Sequence, residues 1–213
     1  MDKNIIWVNE QKINRTIKSL EENNISGYLV NNKSELTEKI QEIVKEGEVV
    51  SCGGSMTLFE VGVMDLLRNG KYNFLDRYEE GLTPSDIKEL YRKSFSADAY
   101  FTSTNAITEN GELYNVDGNG NRIAAMLYGP DKVIVIAGVN KIVKNINEAV
   151  QRNKQICAPA NAQRIGINTP CNTTGECYDC KSPERICCEY TVIKRQRTSG
   201  RMHVIFLNEN LGY

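Results

Sequence analysis

The feature that most constrains the fold is a continuous apolar run, KVIVIA, at residues 132–137. Its β-branched side chains favour a strand, and the absence of polar alternation indicates that both faces of that strand are covered. Shorter strands are predicted at residues 27–30, 48–52, 99–102 and 203–207, with helical spacing of apolar residues between them. Alternating strands and helices predict an α/β fold with a mainly parallel sheet.

One segment departs from this alternation. The helices predicted from apolar spacing and capping residues cover residues 9–24 (capped by Asn9), 34–45, 58–67, 83–97, 122–127 and 143–153. In residues 158–191 the apolar residues follow neither helical nor strand spacing. This segment contains three prolines and five of the seven cysteines. We therefore expect one α/β domain over residues 1–213 that contains a cysteine-rich, metal-binding loop at residues 158–191.

Charge and hydropathy exclude several classes of protein. With 26 basic and 27 acidic side chains, the chain gives no electrostatic reason to expect nucleic acid or an anionic membrane as a partner. No apolar run reaches the roughly 18 residues of a membrane span, and the N-terminus has no signal-peptide pattern, so we expect a cytoplasmic protein. The single histidine, His203, rules out a multi-histidine metal centre and is expected to be a hydrogen-bonded core or edge residue.

A glycine turn follows the strand at residues 48–52 and precedes a helix. It consists of Gly53, Gly54, Ser55, Met56 and Thr57. Consecutive glycines let a backbone approach a ligand closely, and the two hydroxyls could donate hydrogen bonds to a phosphate or carboxylate. The turn matches neither a Walker loop nor a dinucleotide fingerprint. The alternative is a tight connection in which the serine caps the helix.

A second polar segment follows the strand at residues 99–102. The pair Asn110-Gly111 predicts a hairpin, whose base would bring Asn115, Asp117 and Arg122 together. Open α/β sheets bind ligands at the carboxyl ends of their strands, where this hairpin and the glycine turn should both lie. A hydrophilic hairpin of turn-forming residues without a ligand is the alternative.

The cysteines have the spacing C-x5-C-x2-C-x6-C-C from Cys171 to Cys188. A C-x2-C pair flanked by further thiolates suits an iron–sulfur cluster or a structural zinc ion. The candidate ligands are Cys171, Cys177, Cys180 and Cys187, with Cys188 able to replace its neighbour. Reduced, unligated thiols or a stress disulfide are the alternative. Of the other two cysteines, Cys52 is interpreted as a buried apolar residue and Cys157 as structural.

Several motifs together resemble one family. They are VSCGGSMTL at residues 50–58, TNAITENG at 104–111, NVDG at 115–118, GVNKIV at 138–143 and VIFLNENLG at 204–212. The chain resembles the LUD domain family, the lactate-utilisation protein C-like proteins, over essentially its whole length. The resemblance implies a Rossmann-like α/β domain with a small β-hairpin insertion, similar to the ribose-phosphate isomerase and CoA-transferase group. In that group the glycine turn and hairpin frame a site for phosphorylated, CoA-linked or other anionic substrates.

The resemblance also implies residue roles. Glu60 and Asp117 would be the catalytic carboxylates, as general base or nucleophile. The substrate would be bound by Gly53, Gly54, Ser55, Met56, Thr57, Thr104, Asn105, Asn115, Arg122 and Lys141, the last two as anion binders. Similarity to SPERIC variants of the family favours Cys187 over Cys188 as the fourth metal ligand. The electron transfer of lactate utilisation favours a 4Fe–4S cluster, with zinc as the alternative.

Two functional hypotheses follow. The first is a subunit of an iron–sulfur-linked system that oxidises lactate or a related 2-hydroxy acid, either an oxidoreductase subunit or a transferase- or isomerase-like enzyme. Its partners would be a small anionic metabolite and iron–sulfur oxidoreductase proteins, with a homo-oligomer also open. The second is a metal-stabilised module that binds or senses a phosphorylated or CoA-linked anion without catalysis. A cysteine loop against the glycine-turn cleft would favour a redox or Lewis-acid role, whereas a distant loop would favour a structural staple.

Overall fold

The structure, a computed structural model, describes residues 2–213. In that part of the chain the strands are β1 (Ser26–Val30), β2 (Val49–Cys52), β3 (Asn73–Leu75), β4 (Ala99–Thr102), β5 (Ala106–Thr108), β6 (Leu113–Asp117), β7 (Lys132–Gly138), β8 (Ile142–Val143), β9 (Glu189–Ile193) and β10 (Met202–Leu207). The main sheet has six strands in the order β1-β10-β7-β4-β2-β3, and every neighbouring pair is parallel. The predicted α/β fold with a mainly parallel sheet is confirmed.

The helices alternate with these strands. They are α1 (Lys3–Glu22), α2 (Lys33–Ile43), α3 (Met56–Glu60), α4 (Val63–Arg68), α5 (Pro84–Lys93), α6 (Asn121–Leu127), α7 (Ile146–Arg152), α8 (Ala158–Ile165) and α9 (Pro170–Thr174). A five-residue π-helix, Asn153–Cys157, joins α7 to α8. None of the helices found in residues 2–213 has the length and apolar character that crossing a membrane requires.

Two hydrophobic cores lie on opposite faces of the main sheet, and β7 contributes to both. Ile134 and Ile136 belong to the core formed with α2, α3 and α4. Val133, Val135 and Ala137 belong to the core formed with α1 and α6. Because successive strand residues point to opposite faces, a central strand covered on both sides has no polar position. This explains the uninterrupted apolar run.

Several helix boundaries differ from prediction, and the helix predicted over residues 143–153 begins only at Ile146, after β8. The helix predicted from Asn9 begins earlier, at Lys3, because the Asp2 carboxylate accepts a hydrogen bond from the backbone N–H of Asn4 at 2.8 Å and caps it. The helix predicted over residues 58–67 is divided by Gly62, whose φ of +77° is incompatible with a continuous α-helix. The helix predicted over residues 83–97 is shorter: α5 ends at Lys93, and one 3-10 turn, Ser94–Ser96, follows it.

The segment predicted to be irregular, residues 158–191, begins with regular structure. It contains α8 and α9 and ends inside β9. Pro159 comes directly after the π-helix, in a stretch that is helical without a break over residues 146–165, so this proline does not end the helix. The prediction of an aperiodic segment is therefore wrong for its first half, while residues 175–188 contain no helix or strand.

The predicted hairpin is part of a second sheet with the order β8-β5-β6-β9. β5 and β6 pair antiparallel as predicted, β8 adds in parallel beside β5, and β9 adds antiparallel beside β6. The hairpin tip rests on α1. Gly111 there has a φ of +77°, and a Cβ at this position would lie 2.7 Å from the backbone of Ser19 and Leu20. The hairpin is thus fixed at its tip as well as at its base.

His203 is a hydrogen-bonded residue of the sheet, as predicted. Its Nε2 bonds the Gly200 carbonyl oxygen at 2.8 Å, and its ring stacks on Tyr28 at a centroid distance of 6.0 Å. Burial lowers the pKa of this imidazole, while the Gly200 hydrogen bond acts in the opposite direction. These contacts account for the histidine without a catalytic role.

Candidate functional site

A cleft of about 300 Å³ opens at the carboxyl ends of β2 and β4, beside the base of the β5–β6 hairpin. The glycine turn and the hairpin base therefore meet at one cavity, which is where open α/β sheets place ligands. The predicted site residues that line it are Gly54, Ser55, Met56, Thr57, Thr104, Asn105, Asp117, Arg122 and Lys141. Gly53, Glu60 and Asn115 lie outside its wall.

The glycine turn presents its serine to the cleft. Ser55 is the N-cap residue of α3, yet within residues 2–213 its side chain makes no capping hydrogen bond. Its hydroxyl is therefore available to a molecule in the cleft, which favours the ligand-binding interpretation over the capping one. Gly53, in the same turn, packs against Tyr100 and Arg122. A Cβ at this position would lie 3.0 Å from the Tyr100 hydroxyl and 3.1 Å from Arg122 Cγ. This glycine lets the arginine side chain cross the turn.

Arg122, at the start of α6, organises the hairpin base. Its Nε donates to Asp117 Oδ1 at 2.9 Å, and its Nη2 lies 2.6 Å from the same oxygen. Its two terminal nitrogens donate further to the backbone oxygens of Ser103 and Val116 and the amide oxygens of Asn105 and Asn115. Every guanidinium nitrogen thus has an acceptor within the protein. The side chain therefore holds the cleft wall in shape, and the anion-binding role stays a prediction.

Both carboxylate oxygens of Asp117 also have partners within the protein. Its Oδ1 pairs with Arg122, its Oδ2 accepts a hydrogen bond from the backbone N–H of Ile123 at 3.0 Å, and the side chain is only 8% exposed. The carboxylate therefore connects the end of β6 to the first turn of α6. Its catalytic role stays a prediction, because both oxygens already have partners in this geometry.

Glu60 lies at the end of α3, on the protein surface. Its Oε2 accepts a hydrogen bond from the backbone N–H of Gly212 at 2.7 Å, and its carbonyl oxygen accepts one from Lys33 at 2.6 Å. The carboxylate therefore fastens the segment after β10 to α3. The catalytic role predicted for Glu60 receives no support from this position.

Lys141 is a buried lysine in the cleft wall, at the end of a 3-10 turn that follows β7. Its side chain is 2% exposed, and Nζ donates to the backbone oxygens of Thr104 at 3.2 Å and Tyr213 at 2.9 Å. Burial lowers the pKa of this amine to about 7, and the nearby Arg152 acts in the same direction. Burial and the neighbouring guanidinium both favour the uncharged form of this amine.

Sequence reasoning missed the two other cations of the cleft. Arg77 follows β3, and within residues 2–213 its guanidinium has no hydrogen-bond partner but stacks over the rings of Tyr78 and Tyr91. Arg164 lies on α8, where it donates to the side chains of Asn161 and Tyr213. Neither residue stands in a recognisable motif: Arg77 follows a strand of only three residues, and Arg164 lies on the short helix α8.

The π-helix places two further residues at the cleft. Asn153 and Cys157 are its first and last residues, and both line the cavity. The Cys157 thiol accepts a hydrogen bond from Arg152 Nη1 at 2.7 Å and donates to the Asn105 carbonyl oxygen at 3.7 Å. Single π-turns often occur at functional sites, but the sequence gives no sign of one here. Cys157 is structural, as predicted, and also forms part of the cleft wall.

The four cysteines proposed as metal ligands surround a second, smaller cavity. Cys171, Cys177, Cys180 and Cys187 all line this space of about 20 Å³. Burial raises the pKa of Cys187 to about 11, and the three neighbouring thiols act in the same direction. Cys188 lies outside, on the surface. Within residues 2–213, no three His, Cys, Asp or Glu side chains converge closely enough to hold a single metal ion.

Arg185 fixes the cysteine loop. It donates to the backbone oxygens of Cys180 and Cys187, the latter at 2.7 Å, and its Nη2 lies 2.7 Å from Asp179 Oδ1. These bonds join the backbone at Cys180 to the backbone at Cys187, two of the cysteines that line the small cavity. The loop is thus ordered by backbone contacts as well as by its cysteines.

The cysteine cavity shares a wall with the cleft. Ala158, Ile186 and Cys187 line both spaces. The loop approaches closely because residue 118 is a glycine: a Cβ at Gly118 would lie 3.2 Å from Ile186 Cα. The backbone N–H of Cys188 also donates to the Asp117 carbonyl oxygen at 2.9 Å. The cysteine loop therefore lies against the cleft, the arrangement that favours a redox or Lewis-acid role.

We expect Gly118→Ala to loosen this contact. The new methyl group would press on the Ile186 backbone, and overpacking typically costs about 1–3 kcal/mol. The Cys187 thiol should then react with iodoacetamide about fivefold faster, the factor that corresponds to roughly 1 kcal/mol of easier opening. Peptide mass spectrometry of the metal-free protein would give the rate. Gly54→Ala is the matched control, because a Cβ there meets only ordinary contacts at 3.6 and 3.7 Å; equal rates in the two variants would contradict the docking described above.

The fold and site define the class of protein: an α/β domain with a ligand-sized cleft at the carboxyl ends of its parallel strands. The comparison with protein families is more specific. The LUD domain model matches residues 13–207, and the chain belongs to the LUD domain family. The resemblance drawn from the sequence motifs is thereby confirmed.

One solved structure agrees on the fold. A DUF162 family protein from Deinococcus radiodurans is 16% identical, with 93% of this chain and 98% of that chain covered and a TM-score of 0.54. At this identity the likeness shows the fold alone. The eIF2B beta and delta proteins of Chaetomium thermophilum are 15% and 19% identical, with coverage of 53% and 56% of this chain and 43% and 50% of theirs. Their TM-scores of 0.36 and 0.37 are too low to support an argument. The comparison with curated proteins gave no match.

Proposed function

We propose that this LUD domain protein is a lactate-utilisation-like subunit of a cytoplasmic, iron–sulfur-linked system that oxidises lactate or a related small 2-hydroxy acid. Its partners would be iron–sulfur oxidoreductase proteins that take up the electrons. The observation that carries the proposal is the wall shared by the cysteine cavity and the cleft, which contains Ile186 and Cys187. A redox group held by these cysteines would lie beside a substrate bound in the cleft.

The donor set fits an iron–sulfur cluster. In a 4Fe–4S cluster each thiolate binds its own iron, so the four sulfurs surround a volume. A zinc ion instead needs four sulfurs at about 2.3 Å from one point. The four thiols line one small cavity, so they could provide the four thiolate ligands that such a cluster needs. The ligands would be Cys171, Cys177, Cys180 and Cys187, and the bound group would supply one-electron transfer.

The cleft is suited to a small anion. The protein has a formal net charge of −1, so attraction must come from local groups and not from the overall field. Arg77 brings a guanidinium without a hydrogen-bond partner in the described chain, and Arg164 brings a second cation. Ser103 Oγ is buried in the cleft wall and lacks a partner among residues 2–213. Together they could receive a carboxylate and a neighbouring oxygen.

A second candidate rests on a different observation. Asp117 is saturated by Arg122 and Ile123, and Glu60 lies outside the cleft. This favours a metal-stabilised module that binds or senses a phosphorylated or CoA-linked anion without catalysis. The parallel sheet with a second, smaller sheet beside the cleft also supports the proposed grouping with the ribose-phosphate isomerase and CoA-transferase folds. Within that grouping the alternative to a binding module is a transferase- or isomerase-like enzyme.

The proposal is tested on protein purified under anaerobic conditions. Iron and sulfide analysis should find a cluster, and addition of lactate should shift its visible and electron paramagnetic resonance spectra in a saturable way. Ribose 5-phosphate and acetyl-CoA serve as the comparison ligands. Colourless protein with stoichiometric zinc would overturn the cluster, and a spectrum that responds only to the phosphate or CoA compound would favour the second candidate.

A further inference from the structure

The hydrogen bonds of Lys141 suit an uncharged amine. Its Nζ donates to two backbone oxygens, those of Thr104 and Tyr213, and no Asp or Glu side chain of residues 2–213 forms an ion pair with it. A neutral amine has two N–H groups, one for each oxygen, and keeps a free electron pair. Because the side chain is only 2% exposed, loss of hydration disfavours its protonated form.

Burial and nearby charges together set the pKa of the Lys141 amine. After burial, Arg152 lowers the pKa of the amine most, Cys157 raises it, Arg122 lowers it further, and Glu60 raises it least. The result is a pKa of about 7, compared with 10.5 for an exposed lysine. Desolvation and a neighbouring cation are the two means by which proteins activate a lysine as a nucleophile.

We propose that Lys141 is a nucleophile that binds a carbonyl substrate covalently, as a Schiff base between its Nζ and the carbonyl carbon of a 2-oxo acid. The Nζ electron pair attacks the carbonyl carbon, and a proton passes from nitrogen to oxygen to give the carbinolamine. The hydroxyl then leaves as water, with a proton, as the C=N bond forms. No electrons are exchanged, so the step requires neither metal nor cofactor.

Two other groups that line the cleft favour a 2-oxo acid over a simple aldehyde. Lys141 bonds the backbone of Thr104, and the preceding residue, Ser103, has a buried hydroxyl without a partner in the described chain. Arg77 lines the same cleft with a free guanidinium. A carbonyl next to a carboxylate could use the amine, the hydroxyl and the guanidinium together. The choice of a 2-oxo acid rests on the proposed function, because this is what oxidation of a 2-hydroxy acid produces.

The chain provides a matched control lysine. Lys12, on α1, is partly buried, donates to the Ile142 carbonyl oxygen at 2.6 Å and has a pKa lowered by burial. It does not line the cleft. Reactivity caused by burial alone should therefore appear at Lys12 as well, whereas reactivity caused by the site should appear only at Lys141.

The experiment traps the Schiff base in the full-length protein, prepared under anaerobic conditions. The protein is incubated with pyruvate and sodium cyanoborohydride, digested and mapped by mass spectrometry. We expect one reduced pyruvyl adduct on Lys141, present in K12R and absent from K141R. The trapping rate should level off above pH 7, whereas an ordinary surface lysine would react faster up to about pH 10.

Two results would overturn the inference: no adduct on Lys141 in folded wild-type protein, or adducts at Lys12 and surface lysines in equal yield. Mapping of the wild type alone locates the adduct, so the test survives a K141R variant that fails to fold. The same trapping on C180S protein, which should lack the cluster, separates the two proposals. Trapping in protein that never binds iron would contradict only the proposed function, and absence of trapping in iron-loaded protein would contradict only the role of Lys141.

Discussion

A Cys180→Ser variant purified without oxygen should be colourless and almost free of iron and sulfide. Cys180 lines the small cavity with three other cysteines and belongs to the C-x2-C pair that defines it. Serine oxygen is a poor substitute for a thiolate on iron. Changes in the outer shell of a metal site already weaken binding roughly 10–100-fold, so loss of a direct ligand should exceed about 100-fold. Iron and sulfide analysis with visible spectroscopy measures the effect.

Cys188→Ser is the matched control. Cys188 is adjacent in sequence to a proposed ligand, yet it lies on the surface outside the cavity, and its thiol bonds the Arg185 carbonyl oxygen. This variant should keep its iron, whereas Cys187→Ser should lose it. If the control lost its iron and Cys187→Ser kept it, the fourth ligand would be Cys188. If Cys180→Ser kept its iron, the cluster would have to be placed elsewhere.

Arg122→Met should lower the free energy of unfolding by about 3–5 kcal/mol, the usual cost of removing one partner from a buried ion pair. The pair is well shielded, because the side chains of Arg122 and Asp117 are only 12% and 8% exposed. Methionine would leave the carboxylate without a cation and the Ser103 and Val116 carbonyl oxygens without their donor. Urea denaturation of metal-free protein measures the change.

Two comparisons make this prediction specific. Lys132→Met removes an ion pair that is more exposed: the side chains of Lys132 and Glu48 are 26% and 21% exposed. This variant should lower the free energy of unfolding by only about 1 kcal/mol or less. Arg122→Lys keeps the charge but loses the planar fork, so it should fall between the two. The interpretation of Arg122 as an organising residue would be wrong if Arg122→Met were no more destabilising than Lys132→Met.

The sequence was sufficient for the features that depend on local pattern. The apolar run at residues 132–137 predicted a strand covered on both faces, and β7 divides its side chains between two cores. The pair Asn110-Gly111 predicted the hairpin, which forms with the left-handed glycine that such turns require. The meeting of the glycine turn and the hairpin base followed from the rule for parallel sheets.

Other parts of the site depend on contacts between distant segments. Arg77 reaches the cleft from the segment after β3 and Arg164 from α8, and neither residue belongs to a motif that marks a ligand site. The π-helix is a register shift that no residue type marks, although it brings Asn153 and Cys157 to the cavity. Asp117 and Arg122 were expected to face a ligand, but each satisfies the other. Sequence spacing can bring groups together, but only the full set of neighbours decides which atoms remain free.

The position of β10 has a consequence for the order of assembly during synthesis. This strand comes late in the chain, yet it lies inside the main sheet, between β1 and β7. Until residues 202–207 have left the ribosome, β1 has no neighbour and one edge of β7 is open. The cysteines at residues 171–187 are released before that point. The main sheet can therefore close only after the whole cysteine loop has been synthesised.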